Sequence, residues 1–219
     1  MPAFRTVIFD CDSTLSTIEG IEELAGGHRA EVERLTALAM QGTIPLEEVY
    51  GRRLDLIRPS RKDVDRIGKL YISRLVPGAA EAVRAMQEER IGVFILSGGL
   101  APAVRAVGLH LGITETNVAA VEVWFDDHGR YRGFDLESPL ARSGGKRVWV
   151  ESRTDLIRPV LLVGDGATDL EARPAVDRFA AFTGVVRRDP VVAGADYVIN
   201  GPSLAPVLAL ARTGVLPHA

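Results

Sequence analysis

The sequence predicts an α/β fold, a Rossmann-like parallel sheet with helices on both faces and a small helical cap inserted after the first strand. Three observations predict it. Short apolar runs recur along the chain and stop abruptly at acids, hydroxyls or glycines, as buried strands do. Helical patterns separate those runs, and the alternation of strand and helix argues for a parallel sheet. The alternation is broken once, over roughly residues 17–74, where helix-start signals follow one another with no buried-strand run between them.

The first run is Thr6-Val7-Ile8-Phe9, ended by Asp10. The interrupted stretch then reads as three or four helices, with visible starts at Ser16 with Glu19, Pro45 with Glu47 and Glu48, and Ser60 with Asp63. Pro77-Gly78 marks the return to the α/β pattern. The expected division is therefore a core of residues 1–16 and 75–219 with a cap of residues 17–74. Ala79 to Arg90 has a helical apolar spacing, Gly92-Val93-Phe94-Ile95-Leu96 reads as the next strand, and Ala101 to Leu111 as the next helix. Val121–Phe125 and Tyr131–Phe134, around Asp126-Asp127-His128-Gly129, read as a β-hairpin. Lys146 to Ser152 is helical. Pro159–Val163, Arg178–Phe182 and Asp196–Ile199 complete the strands.

Composition narrows the function. The 219 residues hold 47% hydrophobic and 25% charged side chains, ordinary for a chain that buries a core. With 26 basic and 29 acidic residues the net charge is −3, and no basic run or aromatic–basic interleaving points to nucleic acid as a partner. Cys11 is the single cysteine, so an intrachain disulfide is excluded and a reducing compartment is compatible. The first residues lack a signal-peptide core, and no apolar run reaches the length of a membrane span. The expectation is a cytoplasmic protein with no membrane partner; the sequence allows a homodimer without requiring one.

Four polar clusters fall at or just after the strand ends: Asp10-Cys11-Asp12-Ser13-Thr14, Ser97-Gly98-Gly99, Lys146 behind Ser143-Gly144-Gly145, and Gly164-Asp165-Gly166-Ala167-Thr168-Asp169. Each alone has a bland reading as a turn or a helix cap. Together they carry a chemical signal, because strand ends of one parallel sheet converge on a common crevice. At an effective dielectric near 20, two carboxylates ~5 Å apart repel by ~3 kcal/mol, so Asp10, Asp12, Asp165 and Asp169 are poorly placed unless they hold a cation or a proton. Such oxygen ligands suit Mg²⁺. The Ser97 hydroxyl, the amides after it and the Lys146 ammonium offer donors to a phosphoryl group. Acids, metal and cationic donor together describe phosphoryl transfer.

Other motifs fail on residues. A thiol phosphatase needs Arg six positions after its cysteine, where Thr17 stands; a P-loop needs Ser or Thr after Lys146, where Arg147 stands. His28, His110, His128 and His218 are scattered, which argues against zinc.

The ordered set Asp10-x-Asp12-Ser13-Thr14, Ser97-Gly98-Gly99, Lys146 and Gly164-Asp165-Gly166-x-x-Asp169 resembles the four motifs of the haloacid dehalogenase superfamily. Within it, Glu19-Gly20-Ile21-Glu22-Glu23-Leu24-Ala25, Leu56–Arg61 and Thr116-Asn117-Val118 extend a resemblance to the phosphoserine phosphatase family over roughly residues 5–200. The resemblance implies a Mg²⁺-dependent phosphatase acting on O-phospho-L-serine, with Asp10 as nucleophile and Asp12 as acid, then base. Mg²⁺ would bind Asp10, the backbone carbonyl of Asp12 and Asp165, with Asp169 in support. Ser97, Gly98, Gly99 and Lys146 would hold phosphate, and Thr168 would lie near the substrate. Glu19 matches the position that recognises the substrate ammonium, Arg53 the one that recognises its carboxylate, and Met40 a pocket position. From the residues alone, Ser16-x-x-Glu19 is also a capping box, and Arg53 could belong to a solvated helix face.

Two departures stand out. Family members often carry Phe where this chain has Leu46, and Gly51, costly inside a helix, is expected to break it and re-aim Arg53. Two other functions fit the clustered acids: the same chemistry on another phosphomonoester or with an alcohol acceptor, and a non-enzymatic receiver-like module that stores phosphate on an Asp. Asp12 and the helical insertion argue against the module.

Overall fold

The computed structural model describes residues 1–40 and 44–217, with the side chains of 39 and 40 outside the description. The chain opens with β1 (Thr6–Phe9). Four helices follow, α1 (Gly20–Leu24), α2 (Arg29–Met40), α3 (Leu46–Ile57) and α4 (Arg61–Ser73). Next come α5 (Ala79–Glu88), β2 (Gly92–Leu100), α6 (Ala101–His110), β3 (Val118–Val121), β4 (Val123–Phe125) and β5 (Tyr131–Phe134). The rest is α7 (Gly145–Ser152), β6 (Val160–Gly164), α8 (Ala167–Ala172), β7 (Arg178–Phe182), α9 (Asp189–Gly194), β8 (Tyr197–Ile199) and α10 (Ala205–Thr213).

Six strands form one parallel sheet in the order β3-β2-β1-β6-β7-β8. Every residue of β1 and β6 is buried, so both faces of the sheet centre are covered by helices, which is why these strands read as unbroken apolar runs. Strand order reverses between β1 and β6: β2 and β3 extend to one side of β1, and β6 to β8 to the other. In sheets of this kind the crevice beyond the strand ends at the reversal point is where ligands bind. Asp10 and Asp165 directly follow the paired ends Phe9 and Val163-Gly164.

Three sequence expectations change. The hairpin is present as β4 and β5, but Val121 belongs to β3, a parallel edge strand absent from the sequence reading. Its Val118-Ala119-Ala120 is only partly buried, so no strong apolar run announces it. β2 continues through Ser97-Gly98-Gly99 to Leu100, with a register shift between Leu96 and Leu100, so this polar segment is the end of a strand and not a loop beyond it. Gly51 does not break its helix: α3 is continuous from Leu46 to Ile57. The cost of glycine there is small beside the burial of Val49, Tyr50, Arg53 and Leu54 on the same helix.

The helices α1 to α4 lie between β1 and β2, where the sequence predicts an insertion, and α4 packs against α6. α4 starts at the expected capping box, in which the Ser60 hydroxyl accepts from the Asp63 amide and the Asp63 carboxylate accepts from the Ser60 amide. A Cβ at Gly51 would meet only the Phe134 ring, at an ordinary 3.8 Å. Gly51→Ala is therefore expected to raise stability by about 0.5–1 kcal/mol, and Ser60→Ala to lower it by about 1 kcal/mol, read as opposite shifts of the urea midpoint.

Candidate active site

The site is built on the turn that follows β1. Asp10 leaves the strand with its amide bound to the Val163 carbonyl of β6, and its Oδ1 accepts from the Cys11 amide at 2.7 Å. Residues Cys11–Leu15 wind into a tight turn in which Ser13 holds a left-handed φ of 51°, rare for a residue with a side chain. That turn points Asp10 and Asp12 to the same crevice and aims the Ser13 hydroxyl at Glu19 Oε1, 2.6 Å away.

Carboxylate oxygens of Asp10, Asp165 and Asp169 lie within 4.8 Å of one another, and all three residues are buried. Lys146 Nζ stands between two of them, 2.8 Å from Asp10 Oδ2 and 2.6 Å from Asp169 Oδ1. Burial would pull the Lys146 pKa down, but Asp10 and Asp169 outweigh it and push it up, so the ammonium keeps its proton. The Thr14 hydroxyl donates to Asp165 Oδ1 at 2.9 Å, and the Gly166 amide to Asp169 Oδ2 at 3.0 Å. Arg188 also pairs with Asp165 and lies 3.8 Å from Glu19 Oε1. Three buried hard-oxygen ligands this close, only partly neutralised by fixed cations, could hold a metal ion.

Asp12 is part-buried, and its Oδ1 accepts from the Gly20 amide at 2.7 Å and from the Tyr71 hydroxyl. Its Oδ2 lies 3.4 Å from the Ser97 hydroxyl. Burial, then the charges of Glu19 and Asp10, raise the Asp12 pKa to about 7 against the pull of Tyr71 and Gly20. Cys11, between the two acids, is wholly buried; burial and the flanking Asp12 and Asp10 push its thiol well up and leave it no thiolate to attack with.

The structure brings most of the sequence-derived candidates to one cavity. Asp10, Asp12, Glu19, Arg53, Gly98, Lys146, Asp165 and Thr168 line it, and Asp169 lies behind Asp10 in the acid cluster. Ser97 and Gly99 sit beside it: the Ser97 oxygen accepts from the Gly99 amide at 3.0 Å and its hydroxyl faces Asp12. Met40 is the last residue of α2, and its side chain lies outside the described residues. Glu19 does not cap with Ser16, whose hydroxyl turns to the carbonyls of Tyr71 and Arg74. Arg53 is 8% exposed, so it is not on a solvated face. Its guanidinium lies 5.5 Å over the Tyr50 ring and donates to Thr36 Oγ1 at 3.2 Å, its Nε has no hydrogen-bond partner, and among the described residues no carboxylate forms an ion pair with it. Burial lowers its pKa. Leu46 forms part of the same cavity wall.

Sequence reasoning missed Arg188, Tyr71 and Tyr50. Tyr50 lines the cavity from α3 and donates its hydroxyl to the Gly98 carbonyl at 2.9 Å. Arg188 had a usable signal, since Arg187-Arg188 follows the end of β7 on the crevice side of the sheet. The tyrosines had none, because each occupies a buried helix position that reads as core.

The haloacid dehalogenase-like hydrolase family model matches residues 4–177, and the chain belongs to that family. Within it, the chain is 40% identical over 198 residues to the phosphoserine phosphatase of Mus musculus, a match covering 89% of this chain and 88% of the mouse protein. The Homo sapiens phosphoserine phosphatase matches with the same identity and coverage. Among solved structures, a phosphoserine phosphohydrolase-like protein from Francisella tularensis superposes with a TM-score of 0.82 at 26% identity, covering 94% of this chain and 99% of its own.

The acid cluster generates a prediction that needs no substrate. A divalent cation bound by it stabilises the folded state, by about 2.7 kcal/mol at a hundred times its Kd. A rise in melting temperature on adding Mg²⁺ is expected, and its loss in Asp165→Asn; an unchanged shift in the variant would place the ion elsewhere.

Proposed function

We propose that this chain is a Mg²⁺-dependent phosphatase that hydrolyses O-phospho-L-serine to L-serine and phosphate through a phospho-aspartate on Asp10. The observation that carries the reading is one cavity joining two kinds of chemistry. Its floor holds paired acids and a buried ammonium, and its wall holds Glu19 and a buried Arg53 that, among the described residues, forms no ion pair.

Asp10 would attack phosphorus as the bond from phosphorus to the serine oxygen breaks, with Asp12 giving its proton to that oxygen. A pKa near 7 lets Asp12 carry that proton at neutral pH. Water would then attack phosphorus, Asp12 would take the water's proton, and the bond between Asp10 and phosphorus would break to restore the carboxylate. Lys146 would hold phosphoryl oxygens beside Ser97, Gly98 and Gly99, with Thr168 at the cavity edge. Mg²⁺, held by Asp10, the Asp12 carbonyl and Asp165 with Asp169 in support, would supply neutralisation of the phosphoryl charge.

Arg53 supports an amino-acid head group. Burying a cation without a partner is costly, and a planar carboxylate offers it a bidentate match. Glu19 would take the ammonium of the same substrate. Residues 17–74 would act as a cap over a core of 1–16 and 75–219, shedding bulk water around the bound substrate. The identity with phosphoserine phosphatases over most of both chains supports the same substrate. A chain whose single cysteine, Cys11, is buried and needs no disulfide is compatible with the cytoplasm.

Asp10→Asn is expected to abolish turnover and phosphoenzyme formation. Arg53→Ala is expected to raise KM for phosphoserine by roughly 10- to 100-fold, the loss of a charged hydrogen-bonded contact, while sparing phosphomonoesters that lack a carboxylate. Equal rates on phosphoserine and unrelated monoesters would overturn the substrate assignment and leave the chemistry standing.

A further inference from the structure

Asp12 is held by a group that phosphoryl transfer does not itself require. Tyr71 lies near the end of α4 and is 1% exposed. Its hydroxyl crosses from the inserted helices to the turn after β1 and donates to Asp12 Oδ1. The Gly20 amide, at the start of α1, donates to the same oxygen at 2.7 Å. Among the described residues, the other oxygen, Oδ2, has only the Ser97 hydroxyl at 3.4 Å, too long for a firm bond. The approach of Tyr71 depends on residue 20 having no side chain, because a Cβ at Gly20 would stand 2.0 Å from the Tyr71 hydroxyl oxygen.

We propose that Tyr71 is a positioning residue for Asp12: with Gly20 it occupies Oδ1 permanently, so that Oδ2 alone passes the proton to the leaving oxygen and takes it back from water. The argument is one of donors and acceptors. A protonated carboxyl group has one O–H. An oxygen that already accepts from a phenol and an amide can bear that hydrogen only if the phenol gives up its donor role and the amide bond bends aside, so the proton is favoured on the oxygen facing Ser97. The same two bonds stop the carboxyl group from rotating, and a fixed donor reacts faster than one that must first find its orientation. Without the phenol, Asp12 is still a carboxyl group but loses the constraint on which oxygen presents the proton.

This inference rests on the acid–base role of Asp12 proposed above, and the test separates the two. Tyr71→Phe keeps the ring and removes the hydroxyl. It is expected to lower kcat and the single-turnover rate of phosphoenzyme formation from phosphoserine by about tenfold, the worth of one hydrogen bond in the transition state, with KM changed less than about twofold. Introduced into Asp12→Asn, which has no proton to place, the same substitution is expected to leave the residual single-turnover rate unchanged within about twofold. A merely structural tyrosine would slow both backgrounds equally, and that result overturns the inference. So does an unchanged kcat in Tyr71→Phe when Asp12→Asn is inactive. Near-normal turnover by Asp12→Asn would instead remove the acid–base reading itself, and this inference with it.

Discussion

The crowding of buried negative charge around one ammonium constrains every element near it. Asp10, Asp165 and Asp169 would repel one another strongly in a low-dielectric site, and Lys146 touches only two of them. The fold answers with fixed donors, since buried charges are tolerated only when their oxygens are satisfied. The Cys11 amide serves Asp10, the Thr14 hydroxyl serves Asp165, and the Gly166 amide serves Asp169. Each donor lies within five residues of a strand end, so the register between β1 and β6 decides whether the three acids converge. A slip of that pairing by one residue would turn Asp10 and Asp165 to opposite faces and part Thr14 from Asp165.

The inserted helices meet this cluster through one backbone amide, that of Gly20, and through two tyrosine side chains. Tyr50 reaches the Gly98 carbonyl at the end of β2, and Tyr71 reaches Asp12 beyond β1. Both hydroxyls come from tyrosines that are otherwise buried as hydrophobes, which suits a residue with an apolar body and one polar tip. The helices that would select the substrate are thereby tied to the strand ends that would transform it. A shift of α3 or α4 relative to the sheet would disturb Gly98 and Asp12 directly, without any change in the residues of the sheet.

What was legible in the sequence follows from how local its cause is. Asp10, Ser97, Lys146 and Asp165 could be grouped because each ends or follows an apolar run, or sits beside a glycine turn, and parallel strand ends must converge. The Ser60 cap was legible because its partner Asp63 is three residues away. β3 was not, because an edge strand with partly buried alanines has no run to detect, and the six-residue helices α8 and α9 are too short to display a period. Gly51 was misread because propensity was weighed without the tertiary contacts of α3 that override it. Tyr71 and Arg188 touch Asp12 and Asp165 across 59 and 23 residues of chain, and no local pattern encodes such a meeting.

Arg53 shows how the same principle that satisfies the acid cluster could be inverted to recognise a ligand. The acids have donors within the chain, whereas the guanidinium has a ring, one hydroxyl and an unpartnered Nε. A pocket complete without its ligand would bind many monoesters with similar energy. One that leaves a buried cation short of its partner discriminates against every ligand unable to supply a carboxylate, because that ligand leaves the charge buried and unanswered. Sites built around such an obligatory polar contact can reject analogues lacking it by roughly 10⁴-fold, far beyond what a hydrophobic wall such as Leu46 can achieve by shape. Selectivity in this pocket would then rest on Arg53, and the exchange of an aromatic ring for Leu46 would alter how tightly the substrate is enclosed more than which substrate is chosen.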